Sequence, residues 1–588
     1  MKMYPILMAL PLFFCSCSSD STAFNGSHLE PLQPAVHITP ALNVDLNTDK
    51  ALYKPGEKIT FTASGTIPAG AKVRYRCGDE VIGTTSLAGN TWTWAAPSMD
   101  HTGYLADIYT QDGDSAETVY GTVGVDVSTN WARYPRYGFV AAYDGSKTHT
   151  AVQNEMAFLN RCHINGIQFY DWHYKHHWPL GGTRGNLMDS YTDIAERTVY
   201  TSVIKDYIST QHAYGMKSMF YNLCYGALDD AKEDGVSDKW HLYTDAGHTT
   251  MDKLSMPAGW KSDIYLMDPS NVDWQNYIAD RNDDVYASLD FDGYHIDQVG
   301  DRGTVYDYYG SKLNLPVGFA SFIRRMKARR PDKSLVMNAV SNFGSEQIAG
   351  TGDVDFLYSE LWGGESKFSD LLSIMKTNQS YNGSLGQVYA AYMDYNSTKP
   401  EFNAPGVLLT DAVMFALGAD HLELGDHMLC NEYFPNSNLK MGDSLKKAIV
   451  HYYDFFTAYE NLLRSGGTDN HDGIYGGNGS VIINDWPPKL GTVTSYAKEV
   501  NGKEVIHLLN FVNANSLSWR DLDGSMPEPE TIKSLSLGVR ASSVKKVWVA
   551  SPDCYGGAPQ ELQFKQQGDY VVFTVPSLKY WTMIVIEK

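Results

Sequence analysis

The chain has 588 residues, of which 43% are apolar, 20% charged and 13% aromatic. This is a soluble globular composition too long for a single core, so two to four domains are expected. Forty-seven basic residues against 68 acidic ones leave a net charge of −21, which excludes nucleic acid as a partner and leaves a neutral polymer unaffected.

Met1-Lys2, an apolar run from Ile6 to Phe14 and then Cys15-Ser16-Cys17 resemble a bacterial lipoprotein signal, too short to cross a bilayer as a membrane helix. Residues 1–16 would be removed and Cys17, preceded by the small Ser16, lipidated. An ordinary cleaved signal is the alternative. Membrane contact is then expected through the lipid anchor only, and the location is the bacterial cell envelope or the exterior. Cys77, Cys162, Cys224, Cys430 and Cys554 show no C-x-x-C spacing, so they are expected as buried thiols.

Residues 17–35 read as a flexible tether. Residues 36–130 carry short alternating runs such as Lys58–Thr62, Lys72–Arg76, Thr91–Trp94 and Tyr104–Tyr109, the pattern of an immunoglobulin-like β-sandwich. From 131 to 464, apolar strands alternate with helical stretches. Eight strands are expected at Tyr137–Tyr143, Gly166–Trp172, Lys217–Tyr221, Gly293–Asp297, Ser334–Asn338, Asp355–Glu360, Gln387–Tyr392 and His421–Gly425. Helices are expected at Ala151–Cys162, Thr198–Tyr214, Trp274–Leu289, Gly318–Arg329, Phe368–Thr377, Gly406–Leu417 and Leu445–Leu463. The fold class is thus multidomain α/β plus β, with a central (β/α)8 TIM barrel between two β-sandwiches. Leu223–Met267 reads as a long loop that helps shape the site. Residues 465–588 turn β-rich again, at Val481–Ile483, Val493–Tyr496, Glu504–Phe511, Val544–Val549, Tyr570–Thr574 and Thr582–Ile586, and read as a C-terminal antiparallel sandwich.

Two strands end in carboxylates. Gly293–Asp297 ends at Asp297, and Asp355–Glu360 ends 63 residues later at Glu360. Strand ends at the C-terminal rim are where β/α barrels do their chemistry. Two acids with aromatic neighbours there point to hydrolysis or transfer of a glycosidic bond.

Several motifs carry a closer likeness: Tyr170-Asp171-Trp172, Asp268-Pro269-Ser270-Asn271, Asp292-Gly293 through Gly300-Asp301, Met337-Asn338-Ala339-Val340, Tyr358-Ser359-Glu360-Leu361-Trp362, Ala391-Tyr392-Met393, and Leu422-Glu423-Leu424-Gly425-Asp426 through Glu432-Tyr433-Phe434-Pro435. With these the chain, over about residues 36–588, resembles glycoside hydrolase family 66, which holds endo-dextranases and cycloisomaltooligosaccharide glucanotransferases. The resemblance implies a retaining enzyme on α-1,6-linked glucan (dextran, isomaltooligosaccharides). Asp297 would be its nucleophile and Glu360 its acid/base. It places Asp171, Asp268 and Asn338 against sugar hydroxyls or the acids, and Trp172, Tyr221, His295 and Trp362 as subsite walls.

For Trp172 and Trp362, at strand ends near the acids, sugar contact is favoured over core packing, and His295 either orients Asp297 or fills a barrel layer. His173, His176 and His177 suggest a metal, but without a partnering cysteine or a repeated H-x-x-x-H pattern none is expected, and no cofactor is. Endo-hydrolysis is favoured over cyclisation because no module-sized insertion interrupts the barrel. A binding-only protein would have no need of both strand-end acids. Nothing resembles an obligate interface, so a monomer is expected.

Overall fold

The structure is a computed structural model that describes residues 31–424, 427–428, 439–470, 473–476 and 481–588. The expected signal, Cys17, Cys430, Gly425-Asp426 and the Glu432–Pro435 motif lie outside the described residues. The far end of the expected tether is fixed, since Leu32 N–H donates to Thr574 Oγ1 at 2.9 Å.

The first β region is two facing sheets, one of five strands and one of three. Their inner faces follow from strict alternation. In Lys58–Ser64 every second residue (Ile59, Phe61, Ala63) is buried, and these pack with Leu46, Val73, Ile108 and Val123.

The centre is a barrel of eight parallel strands: Tyr137–Val140, Gly166–Phe169, Lys217–Leu223, Gly293–Asp297, Ser334–Val340, Leu357–Leu361, Gln387–Ala391 and Ala419–His421. The eighth resumes at Glu423–Leu424, where Glu423 pairs with Gly138 of the first and closes the sheet. These strands are covered on both faces, so they read as continuous apolar runs; Gln387–Ala391 is buried throughout. Tyr137, Phe139, Met219, Val336, Phe356, Tyr358 and Val388 fill the barrel interior. A separate, larger core joins strands to helices.

Each strand is followed by a helix. Two differ from expectation: Thr198–Tyr200 is a strand paired with Ser190–Thr192 before the helix Thr201–Ala213, and Leu445–Leu463 is broken at Tyr459 into Asp443–Ala458 and Glu460–Leu463. A one-turn helix, Ser345–Ala349, follows the fifth strand. The excursion 223–267 is not plain loop, since it folds its own sheet from Gly226–Ala227, Lys253–Leu254 and Ile264–Leu266.

The second β region pairs a seven-stranded sheet with a four-stranded one. Its strand Ile532–Arg540, not expected from sequence, buries Leu535, Leu537 and Val539 in the shared core. The helix Ala404–Leu417 is apolar all round because it lies beneath this region, and it is buried from Gly406 to Leu417. Helix Asp443–Ala458 lies on the first β region so closely that a Cβ at Gly124 would meet the Asp454 carbonyl at 2.6 Å. Cys162 and Cys224 are buried thiols, whereas Cys77 and Cys554 are only half-buried.

Candidate active site

The fourth, fifth and sixth strands are neighbours in the barrel, with Ile296 opposite Met337 and Val340 opposite Glu360. Alternation turns His295 and Asp297, Asn338 and Val340, and Tyr358 and Glu360 into the same barrel mouth. All six line one cavity of about 260 Å³. Phe139, Gln168, Tyr170, Tyr221, Tyr392 and Leu422 from or just past the other strands, Gln298 and Val299 after the fourth, Trp362 after the sixth and Leu254 from the excursion's sheet complete it. Leu254 belongs to the excursion 223–267, which therefore does shape the site.

A single amide joins the two acids. Asn338 Nδ2 donates to Asp297 Oδ1 and to Glu360 Oε2, each at 2.8 Å. The two accepting oxygens therefore lie no farther apart than twice that length. Each carboxylate also has its own tyrosine: Tyr221 donates to Asp297 Oδ2 at 2.8 Å, and Tyr392 donates to Glu360 Oε1.

Desolvation in the barrel mouth, and then the charge of Glu360, push the Asp297 carboxyl up from 3.8 to about 7. The donors Asn338 and Tyr221 pull it back down. Two carboxyls held this close oppose each other's ionisation, as adjacent acids do. Burial raises the hydroxyls of Tyr221 and Tyr392 well above 10, and the neighbouring carboxylates add to this. Both stay neutral donors.

His295 is buried between Tyr137 and Tyr221, with ring centroids at 5.8 and 6.2 Å, and Tyr358 presents its edge. Its Nδ1 lies 3.2 Å from the Tyr137 hydroxyl, and burial pushes the imidazole down to about 3. It is a neutral residue of the layer that supports Asp297.

The remaining expected residues divide. Trp362 is half-exposed, lines the cavity and packs 4.6 Å from Tyr392. Trp172 is not a wall: it is fully buried, its Nε1 donates to the Tyr221 carbonyl, and its ring packs on Phe220 and Phe291. The cause is Asp171, whose φ of +47° breaks the strand alternation and turns the next residue into the strand–helix layer. Asp171 itself pairs with Arg197 at 3.0 Å just behind Tyr170; burial raises its carboxyl to about 6 against the pull of that arginine. Asp268 is a turn residue outside the cavity wall, accepting from the Ser270 N–H at 2.8 Å and the Ser270 hydroxyl at 2.6 Å. Sequence reasoning gave no role to Tyr392, Tyr170 or Gln168, although alternation from the strand ends places all three inward.

Among the described residues, His177, Asp230 and Asp234 cluster as three prospective metal ligands. Their chemistry argues against an ion. Lys175 already places its ammonium 2.6 Å from Asp230 and 2.7 Å from Asp234. His177 Nδ1 accepts from Leu228 N–H, so its proton sits on Nε2, directed at Asp234, and no lone pair remains for a metal.

Comparison with known proteins matches residues 48–585 to the family model for glycosyl hydrolase family 66. A cycloisomaltooligosaccharide glucanotransferase of Niallia circulans is 27% identical, over 92% of this chain and 71% of that protein. A dextranase of Streptococcus salivarius is 25% identical, over 83% of this chain and 68% of that one. The crystal structure of a Paenibacillus cycloisomaltooligosaccharide glucanotransferase complexed with cycloisomaltoheptaose superposes with a TM-score of 0.84 at 25% identity, covering 94% of this chain and 99% of that chain.

Proposed function

This chain belongs to glycosyl hydrolase family 66, and we propose that it is an endo-acting, retaining hydrolase of internal α-1,6 bonds in dextran, releasing isomaltooligosaccharides. The observation that carries the mechanism is the Asn338 amide shared by both acids. Its two 2.8 Å bonds cap the oxygen separation near the about 5–5.5 Å of retaining enzymes, short of the about 6.5–9.5 Å that leaves room for an inverting water.

In the first step an Asp297 oxygen attacks the anomeric carbon. The bond from that carbon to O6 breaks, and Glu360 gives its proton to the departing O6. In the second step Glu360 takes a proton from water, the water oxygen bonds to the anomeric carbon, and Asp297 leaves. Tyr221 and Asn338 favour the ionised form of Asp297 that the first step needs.

Hydrolysis is supported by alignment length. The match to the Niallia transferase runs over 705 positions although only 92% of this chain takes part, so that relative holds a long stretch that this chain lacks. Cyclisation is the second reading, favoured by the 0.84 superposition on the Paenibacillus transferase. Incubation with dextran and mass spectrometry of the products decides between them. Linear oligomers with a rapid fall in viscosity support the hydrolase. Products lighter by one water than the linear oligomers make it a transferase, and intact dextran refutes both.

A further inference from the structure

The acid/base strand is held from outside the barrel. Segment 511–531 joins strands Lys503–Asn510 and Ile532–Arg540 of the second β region, yet it crosses to the catalytic rim. There it is bonded on both sides. Leu517 accepts from the N–H of Phe368, the first residue of the helix after the sixth strand, and Trp519 Nε1 donates to the Glu365 carbonyl at 2.7 Å in the loop before that helix. The Arg520 carbonyl accepts from Asp394 N–H at 3.0 Å, in the loop after the seventh.

Arg520 is 2% exposed and lies over the Trp519 ring, 4.2 Å from its centroid. Its Nη2 donates to the carbonyl of Leu361 at 2.9 Å and to that of Trp362; its Nη1 donates to the carbonyl of Tyr392 at 3.3 Å. Leu361 follows Glu360, and the Tyr392 hydroxyl is the donor to Glu360 Oε1. One planar guanidinium therefore spans the two backbones that carry both ends of one hydrogen bond. A lysine ammonium is a point donor and cannot span them in one plane.

We propose that Arg520 is a positioning residue for the acid/base, fixing the spacing of the sixth and seventh strands so that Tyr392 meets Glu360. This gives the second β region a part in catalysis without any contact with sugar, and it rests on the reading of Glu360 above. Because Glu360 matters most when the leaving group is poor, misplacing it should harm dextran cleavage more than cleavage of an activated substrate.

The test uses Arg520→Met and Arg520→Lys in the full chain, each with a crystal structure and kinetics on dextran and on a nitrophenyl isomaltoside. The crystal structures should show the Tyr392–Glu360 bond broken in both variants. On dextran, kcat should fall at least ~10-fold, part of the ~10²–10⁴ that general acid–base catalysis contributes. KM should change little, and the nitrophenyl substrate should lose several-fold less. An intact Tyr392–Glu360 bond would overturn the proposal, as would equal losses on both substrates that track the folded fraction by circular dichroism. If the wild type leaves dextran intact, the functional reading fails, and the crystal structures alone decide the clamp.

Discussion

Replacing Tyr221 by Phe removes one oxygen and keeps a ring packed 4.7 Å from Tyr170 and 6.2 Å from His295. What is lost is the 2.8 Å bond to Asp297 Oδ2, which opposes the burial and the Glu360 charge that raise the Asp297 carboxyl. A hydrogen bond to a charged group contributes about 1.5–3 kcal/mol, and one pKa unit is about 1.4 kcal/mol. The Asp297 pKa should therefore rise by about one to two units above its value of about 7. The nucleophile works ionised, so the acidic limb of kcat/KM must move to higher pH. Below the wild-type limb the loss should be about tenfold for each pH unit by which the limb moves, and above the new limb it should shrink. The assay is reducing-end release from dextran from about pH 4 to pH 9. An acidic limb that stays in place, or moves to lower pH, would refute the argument that Tyr221 holds Asp297 ionised.

Asp297→Asn should cut kcat by about 10⁴-fold or more, on the scale of a lost covalent nucleophile. The same change should raise the melting temperature, by about a degree for each ~1 kcal/mol recovered in a chain of this length, because a raised carboxyl pKa opposes folding above the unfolded value near 3.9. A drop in thermal melting would contradict this. Glu360→Gln should lose ~10²–10⁴-fold on dextran but much less on a nitrophenyl isomaltoside, read by steady-state kinetics on both; equal losses would remove Glu360 from leaving-group protonation. Arg136→Met should destabilise by about 3–5 kcal/mol in urea unfolding, because it strands the buried Asp126 and Glu460, which the guanidinium meets at 2.6 and 3.2 Å. A change below about 1 kcal/mol would mean that the Arg136 guanidinium is not what stabilises this buried cluster.

The barrel was legible because each covered strand is a short apolar run, and the acids because they close two of those runs. Gly293–Asp297 lies where the pattern puts it. Ile532–Arg540 was missed although Leu535, Leu537 and Val539 alternate, since Ser534, Ser536 and Gly538 between them read as connector. Trp172 was misread for a local reason: the left-handed backbone at Asp171 reverses the facing of the residue after it, and no sequence period reports that. Tyr392 needed only the alternation rule carried one residue past its strand. Arg520 had no signal at all. Its partners Leu361 and Trp362 lie 159 and 158 residues away, and they are backbone carbonyls, which any residue supplies.

The most direct test of a double displacement at Asp297 and Glu360 is proton NMR of the anomeric region during the first minutes of dextran cleavage. New reducing ends that appear first as the α-anomer, and only later mutarotate to the mixture, are the predicted result. New ends that appear first as the β-anomer would contradict it, because inversion would leave Asp297 no bond to form with the sugar.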